Sequence, residues 1–282
     1  IFVPMVVGET VIGIIALARK ASNPVFTREE FDKAVILTDY ASASVKNMYT
    51  FQEVLEHTDL TREAGIALSV QKSLHPMVLP VIPGVQLGSM FSPAEGVCGD
   101  YLDVLPSRKD RISFVLADVA GKGMNSLVIM VMLRAILRLV TNTTQSTSTI
   151  LSWANRGISI ENNIDHFASL ALLNYDSTTK QLEYATAGSM PVLHYQAASG
   201  SFTRLQTSNE PIGVEKATQF QDKTVQLASN DILLLYSDGL VEAINTAGSQ
   251  YTAERLMAVV KDNAESSSKE IAGLVKTDIR KF

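Results

Sequence analysis

Three aspartates stand beside glycine at the ends of apolar runs that predict β-strands. Asp100 lies within residues 97–105, Asp118 within residues 116–123, and Asp238 within residues 236–239. A strand end can hold a carboxylate still, while glycine lets backbone and ligand come close. The pattern predicts a site for a hard metal ion, provided that the three strand ends converge. Taken alone, each aspartate could equally be a turn or cap residue.

Neither cysteine pairs nor a histidine cluster lies near these carboxylates in the sequence. Oxygen ligands of this kind suit Mn²⁺ or Mg²⁺ and argue against zinc. A site with two such ions can turn water into a nucleophile at neutral pH. The reaction class that the carboxylates indicate is hydrolysis of a phosphate ester, whose negative charge the ions also neutralise.

Other nucleophiles have less support. The four histidines, interpreted as structural or surface residues, are His57, His75, His166 and His194. No serine stands in a nucleophile-elbow pattern, which argues against a Ser-His-Asp hydrolase. Cys98 has no basic partner nearby in sequence, and we expect it to be an inert packing residue.

Composition narrows the functional class. The chain has 282 residues, 46% of them apolar, and a formal net charge of −5. This is ample for a packed core but gives no basic face for nucleic acid. With Cys98 as its single cysteine, the chain forms no internal disulfide, so a reducing cytoplasm is the predicted location. The run from Ser126 to Val140 is too short and too charged to span a membrane and predicts a helix buried between layers.

The first residue, Ile1, stands inside a strand-like run and is not an initiator methionine. We therefore expect the chain to be part of a longer protein. The sequence does not decide whether a membrane segment precedes it. Residues 1–20 predict a β-hairpin, and Thr27 with Glu30 forms a capping box that opens a long helix.

The apolar series of this helix changes phase at residues 57–59. The slip predicts a stutter or a break, with Asp59 able to cap a second helix. Two interpretations of this connector stay open: a two-stranded coiled coil that holds a dimer, or one helix packed on its own domain. His75 and Pro76 end the helical pattern.

The remainder of the chain predicts strands that are mostly joined by hairpins, with the helices grouped together. Helices are expected at 125–139, 150–160, 252–262 and 268–281, with a loop at 141–149 and Trp153 in the core. Grouped helices and hairpins indicate antiparallel sheets covered by helices, and argue against a doubly wound parallel fold.

Residues 97–104, 118–123 and 236–243 resemble the signature blocks of the metal-dependent protein phosphatase (PPM) family. The similarity is strongest to the bacterial branch with the sporulation stage II phosphatase and the RsbU-type stress regulators. Residues 186–191 and 210–213 add supporting blocks, and the resemblance runs from about Val70 to the end. The hairpin and capped helix at the N-terminus resemble the last third of a GAF sensory domain, or a generic α/β fragment.

The resemblance implies an α+β fold: an antiparallel β-sandwich flanked by helices on both sides, preceded by a GAF-like remnant and a helical connector. The implied domains are 1–48 (GAF-like), 49–75 (connector) and 76–282 (phosphatase). Asp100 would bridge two Mn²⁺ or Mg²⁺ ions, Asp118 and the backbone carbonyl of Val119 would bind one, and Asp238 the other. Water would then attack a phosphoserine or phosphothreonine in line, with no phosphoenzyme.

In this branch the usual substrate is a small anti-sigma-factor antagonist of the STAS type, and an upstream sensor acts through a helical connector. This sequence lacks the final Asp-Asp-x-Thr block that supplies another metal ligand, and we do not assign that role to Asp278. Ser189 stands where the branch often has histidine.

Two alternatives stay open: the first follows from the missing block, and the second from the fact that paired aspartates on strands also hold two metals in another class of enzyme. One is a pseudophosphatase or dimeric signalling scaffold that binds a partner without turnover. The other is a nucleotidyl cyclase, against which the blocks at 118–123 and 236–239 argue.

Overall fold

The computed structural model describes residues 1–74, 78–92, 98–108, 110–121, 123–141, 143, 145–159 and 167–282. Side chains are described for all of these except residues 49–64, 66, 72 and 106–108. The chain forms two compact units, Ile1–Gly65 and Ile66–Phe282. No helix in the described part of the chain is long and apolar enough to cross a membrane.

The first unit holds the predicted hairpin and the start of the long helix. Strands β1 (Phe2–Val7) and β2 (Thr10–Ala16) pair antiparallel. The capping box is present, because the Thr27 N–H donates to Glu30 Oε2 at 2.8 Å and the Glu30 N–H to Thr27 Oγ1 at 3.2 Å.

Helix α1 (Arg28–Leu74) runs through the connector without a break. The break that the phase slip allowed at Asp59 is therefore wrong. The predicted end of the helical pattern at His75 and Pro76 lies outside the described residues. A slip in the apolar series changes the face that a helix presents. It leaves the backbone hydrogen bonds intact unless proline or glycine interrupts them, and neither occurs from Thr27 to Glu63.

The second unit contains two antiparallel sheets. The five-stranded sheet has the order β3-β4-β5-β6-β9, and the three-stranded sheet has the order β10-β7-β8. The strands are β3 (Tyr101–Arg108), β4 (Arg111–Val119), β5 (Ala168–Asp176), β6 (Gln181–Ala187), β7 (Val192–Gln196), β8 (Ser201–Leu205), β9 (Lys223–Gln226) and β10 (Ile232–Leu235). The helices are α2 (Met124–Val140), α3 (Thr147–Ile158), α4 (Asp238–Val241), α5 (Ala253–Asp262) and α6 (Ser268–Lys281).

Because side chains alternate between the two faces of each strand, the core is divided into three clusters of buried apolar side chains. On β5, Leu170 and Leu172 face α2 and α3, whereas Ala171 and Leu173 face the three-stranded sheet. The outer face of the three-stranded sheet, which includes Leu193, packs on α5 and α6. The predicted antiparallel sandwich with helices on both sides is therefore confirmed. Each fully buried leucine contributes about 1.5–3 kcal/mol of transfer free energy.

Two expectations about the helices are wrong. Helix α2 does not lie between layers: it forms an outer layer, because Met124, Val128 and Leu139 are exposed while its other face meets the five-stranded sheet. Trp153, expected in the core, is only partly buried. In both cases the apolar character of the side chains did not show which of them a neighbouring element would cover.

The expected loop at 141–149 ends earlier than predicted, because helix α3 begins at Thr147. Ser146 is its N-cap and accepts from the Thr149 N–H at 3.3 Å. The free N–H groups of Thr147 and Ser148 donate to the carboxylates of Glu183 and Asp222. Acidic side chains from distant segments therefore accept hydrogen bonds from the free N–H groups at the start of this helix. Negative charge is favourable at a helix N-terminus.

Candidate metal centre

The β3–β4 pairing brings Asp100 and Asp118 together. Tyr101 lies opposite Ala117 in the antiparallel ladder, so Asp100 just before β3 approaches Asp118 near the end of β4. Tyr101 and Ala117 both face the helices, and alternation therefore turns the two aspartates toward the three-stranded sheet. These two predicted site residues do converge.

Asp238 reaches the same place from the other sheet. Strand β10 ends at Leu235, and the chain turns through Tyr236 and Ser237 into the short helix α4, whose first residue is Asp238. The Ser237 hydroxyl donates to Asp100 Oδ2 at 2.9 Å. This hydrogen bond ties the turn after β10 to the residue before β3, across the space between the sheets.

The electrostatics of Asp118 show how close the three carboxylates are. Burial first, and then the charges of Asp100 and Asp238, raise the pKa of Asp118 to about 7, and hydrogen bonds to both neighbours act in the same direction. Like charges at hydrogen-bonding range favour a shared proton. A divalent cation would relieve the same repulsion.

The backbones of Gly99 and Val119 are in close contact beside the three aspartates. The Val119 N–H donates to the Gly99 carbonyl at 3.3 Å. A Cβ on Gly99 would overlap the Val119 carbonyl oxygen, so no larger residue fits there without a shift. Glycine thus brings the Val119 carbonyl beside the segment that carries Asp100.

The donor set fits a hard divalent cation. It consists of three carboxylates and the Val119 carbonyl, all oxygen, which is the ligand type of Mg²⁺ and Mn²⁺. Among the described residues, no group of three or more His, Cys, Asp or Glu side chains is placed so that it could hold a metal ion as the side chains stand.

The supporting sequence blocks surround the Asp118 end of the sheet. Asp118 lies opposite Ser169 on β5, and a Cβ on Gly188 would contact the Ser169 hydroxyl and Pro211. Ile212 forms an isolated antiparallel bridge with Ala168. These blocks therefore shape the wall of the site. Lys122 lies outside the described residues.

Sequence reasoning missed the residues that brace β3. Asp103 is 1% exposed and accepts two hydrogen bonds from Arg138 of α2, at 2.8 and 3.1 Å. The Tyr101 hydroxyl adds a third at 2.7 Å. The sequence did contain one indication of this ion pair: Arg138 interrupts the apolar run of α2. A buried carboxylate such as Asp103 needs a partner of this kind.

Asn155 is another residue that sequence reasoning missed. It is fully buried on α3, donates to the Glu215 carbonyl at 2.8 Å and accepts from the Gly213 N–H at 2.8 Å. This amide fastens the loop that carries the block at 210–213. Its signal in the sequence was weak, since asparagine in a helix usually faces solvent.

Asp278, to which no metal role was assigned, is engaged elsewhere. It lies on α6 and accepts from Arg255 at 2.7 and 2.8 Å and from the Tyr251 hydroxyl at 2.7 Å. These bonds lower its pKa to about 2. The Arg255 guanidinium also stacks over the Tyr251 and Phe282 rings. The cluster joins α5 to α6.

His194 and Cys98 are the other candidate nucleophiles whose side chains the structure describes, and both have structural roles. His194 is 1% exposed and lies 2.8 Å from Asp231 Oδ2, near the start of β10. Burial raises the pKa of the Cys98 thiol, which keeps it protonated and unreactive. His75 and His166, and the side chain of His57, lie outside the described residues.

Comparison with known proteins agrees with this geometry. The chain is 26% identical over 215 residues to phosphoserine phosphatase RsbU of Bacillus subtilis, covering 76% of this chain and 63% of the relative. It is 24% identical over 224 residues to phosphoserine phosphatase RsbP of the same organism, covering 78% and 53%. The chain thus spans less than two thirds of the length of either relative.

A solved structure, the SiaA-PP2C domain of Pseudomonas aeruginosa, has the same fold with a TM-score of 0.57 at 20% identity, covering 66% of this chain and 74% of that one. The family model described as Stage II sporulation protein E (SpoIIE) matches residues 108–282. The match covers more than half of the residues of this chain, and the chain therefore belongs to the stage II sporulation protein E family.

Proposed function

We propose that the second unit is the catalytic part of a metal-dependent serine/threonine protein phosphatase. One observation carries the proposal: Asp100, Asp118 and Asp238 come from separate elements of two sheets and meet at one end of the space between them. The two relatives named phosphoserine phosphatases support the same reaction class.

In this proposal Mn²⁺ or Mg²⁺ ions, when bound, activate water and neutralise phosphate charge. Asp100 lies between the two sheets and would contact both ions. Asp118 with the Val119 carbonyl would hold one ion, and Asp238 the other. The Ser237 hydroxyl keeps Asp100 turned toward Asp238, and Asp103 with Arg138 keeps β3 fixed beneath it.

The proposed substrate is a phosphoserine or phosphothreonine of a protein, and within this branch a STAS-type anti-sigma-factor antagonist. The N-terminal unit is proposed to be the end of a GAF-like sensor, in domains bounded at 1–48, 49–75 and 76–282. The connector is proposed to hold a homodimer in the cytoplasm. The similarity to RsbU and RsbP, which are named phosphoserine phosphatases, supports the phosphoserine part of this proposal.

The function is tested by titrating Mn²⁺ against release of phosphate from an aryl phosphate and from a phosphorylated STAS protein. We expect hydrolysis that depends on metal, and a loss of at least about 100-fold in Asp100→Asn, Asp118→Asn and Asp238→Asn, because each change removes charge that holds an ion. Asp262→Asn, an exposed change at the end of α5, is the matched control.

Full activity in the three variants would reject the metal mechanism. Binding of the STAS protein by this chain without any turnover would favour the scaffold alternative. Formation of a cyclic nucleotide from ATP or GTP would instead indicate a cyclase.

A further inference from the structure

The side chain of Gln71, near the end of α1, is paired with the backbone of Cys98. Gln71 belongs to the second unit and is 1% exposed. Its Oε1 accepts from the Cys98 N–H at 3.4 Å, and its Nε2 donates to the Cys98 carbonyl and lies 3.0 Å from the Cys98 sulfur. One amide therefore serves both polar groups of a single residue, as a neighbouring strand would.

Cys98 stands two residues before Asp100, and the residue between them has no freedom to absorb a displacement. Gly99 lies against Val119, with the backbone hydrogen bond of 3.3 Å and no room for a Cβ. In a close-packed interior a shift at Cys98 must pass to its neighbours. Those neighbours are Asp100 and the end of the strand that carries Asp118.

The end of α1 is itself fixed to the phosphatase unit. Ala67 is 2% exposed and packs in the core beneath the five-stranded sheet, with Leu68 and Leu74 at its border. Arg134 of α2 donates to the Leu74 carbonyl at 3.1 Å. Gln71 thus acts from a rigid support.

A buried amide is an unusual choice at such a place. An apolar side chain would gain transfer free energy there, whereas a buried amide is tolerated only when it is hydrogen-bonded. What glutamine adds over an apolar side chain is a fixed position for the Cys98 backbone, which its two hydrogen bonds hold in one place.

We propose that Gln71 is a positioning residue of the metal centre. Its amide holds the Cys98 backbone so that Asp100 meets Asp118, and loss of that clamp loosens the metal ligands without unfolding the domain. The consequence for metal binding rests on the proposed function. Gln71 touches no reacting atom, and its effect passes through Cys98 and Gly99.

The test compares Gln71→Met with two controls. Methionine keeps the length of the side chain and removes both hydrogen bonds. Leu68→Ala weakens the packing of the same helix without touching Cys98, and Ser69→Ala is an exposed neutral change. Two measurements are made on each protein: amide-resolved hydrogen exchange at Cys98 and Val119, and Mn²⁺ binding by calorimetry.

Gln71→Met should exchange at these two amides about tenfold faster than the parent and bind Mn²⁺ about tenfold more weakly, the effect typical of residues that orient metal ligands. Ser69→Ala should match the parent. Leu68→Ala should lower the melting temperature while keeping most of the Mn²⁺ affinity.

Unchanged exchange in Gln71→Met would overturn the proposal. Equal weakening of Mn²⁺ binding in Gln71→Met and Leu68→Ala would also overturn it, since the role would then be general stability. If the parent chain binds no Mn²⁺, the proposed phosphatase function fails, and the exchange rates still decide whether the clamp exists.

Discussion

Asp118 and Asp278 show how the surroundings of a carboxylate determine what it does. Asp118 is partly buried beside two other carboxylates, and its pKa rises to about 7. Asp278 faces Arg255 and the Tyr251 hydroxyl, and its pKa falls to about 2. The first environment gathers negative charge and suits a metal ion, whereas the second already contains its cation. The same residue type is a ligand candidate in one place and a structural anchor in the other.

The Asp278 cluster gives a pH-dependence prediction at the residue scale. Its folded pKa lies below the ordinary value of 3.8, so its contribution to stability is present above pH 4 and is lost as the pH falls from about 4 to 2. Asp278→Asn should therefore be less stable than the parent at pH 7, and the difference should shrink steadily below pH 4 and vanish only below about pH 2. Urea unfolding at several pH values measures this.

Asp262→Asn is the control for that series, because Asp262 is exposed at the end of α5. It should show no such pH-dependent difference. A gap between Asp278→Asn and the parent that stays constant down to pH 2 would contradict the ion-pair account.

At the scale of elements, contacts between segments distant in sequence hold the second unit together. The loop before the metal site packs on the start of α6: the Ser268 hydroxyl donates to the Gln86 carbonyl at 3.1 Å, and a Cβ on Gly88 would overlap the Ser268 carbonyl oxygen. Helix α6 begins there with a second capping box, Ser267 and Glu270. Glycine at position 88 is therefore required by packing.

Two glycine substitutions should have opposite effects. Gly88→Ala should destabilise the protein by about 1–3 kcal/mol, because the new methyl group has no space against the Ser268 backbone. Gly273→Ala, on the exposed face of α6 with nothing within 4 Å of the new Cβ, should stabilise it by about 0.5–1 kcal/mol. Thermal and urea unfolding compare the two, and equal effects would refute the packing argument.

At the scale of the second unit, the candidate metal centre lies where the two sheets meet. Asp100 and Asp118 belong to the five-stranded sheet and its edge, whereas Asp238 follows β10 of the three-stranded sheet. Two ions that share Asp100, one bound also by Asp118 and the other by Asp238, would join the two halves of the sandwich. Metal binding and folding stability should therefore be linked.

Mn²⁺ should raise the free energy of unfolding, by about 2.7 kcal/mol at a free concentration about 100 times its Kd. A thermal melt with Mn²⁺ and then with excess chelator measures the effect. Asp238→Asn should show a much smaller shift, since it removes the link from the second sheet. An equal shift in that variant would show that the ion binds elsewhere.

The sequence by itself determined most of the elements and the identity of the metal-ligand candidates. Apolar alternation, hairpin turns and capping boxes are local signals, and they located the N-terminal hairpin and the last helix to within a few residues. The start of α3 was missed because Glu183 and Asp222, which satisfy its free N–H groups, come from distant segments.

Only the tertiary structure decided whether Asp100, Asp118 and Asp238 converge and what supports them. Their proximity depends on the β3–β4 register and on the packing of one sheet against the other, which are non-local and leave no periodic pattern. The Gln71–Cys98 pairing and the bracing of Asp103 by Arg138 are contacts of the same kind. Side-chain type can be read from a sequence, but the partner that a buried polar group finds is set by the packing of the whole fold.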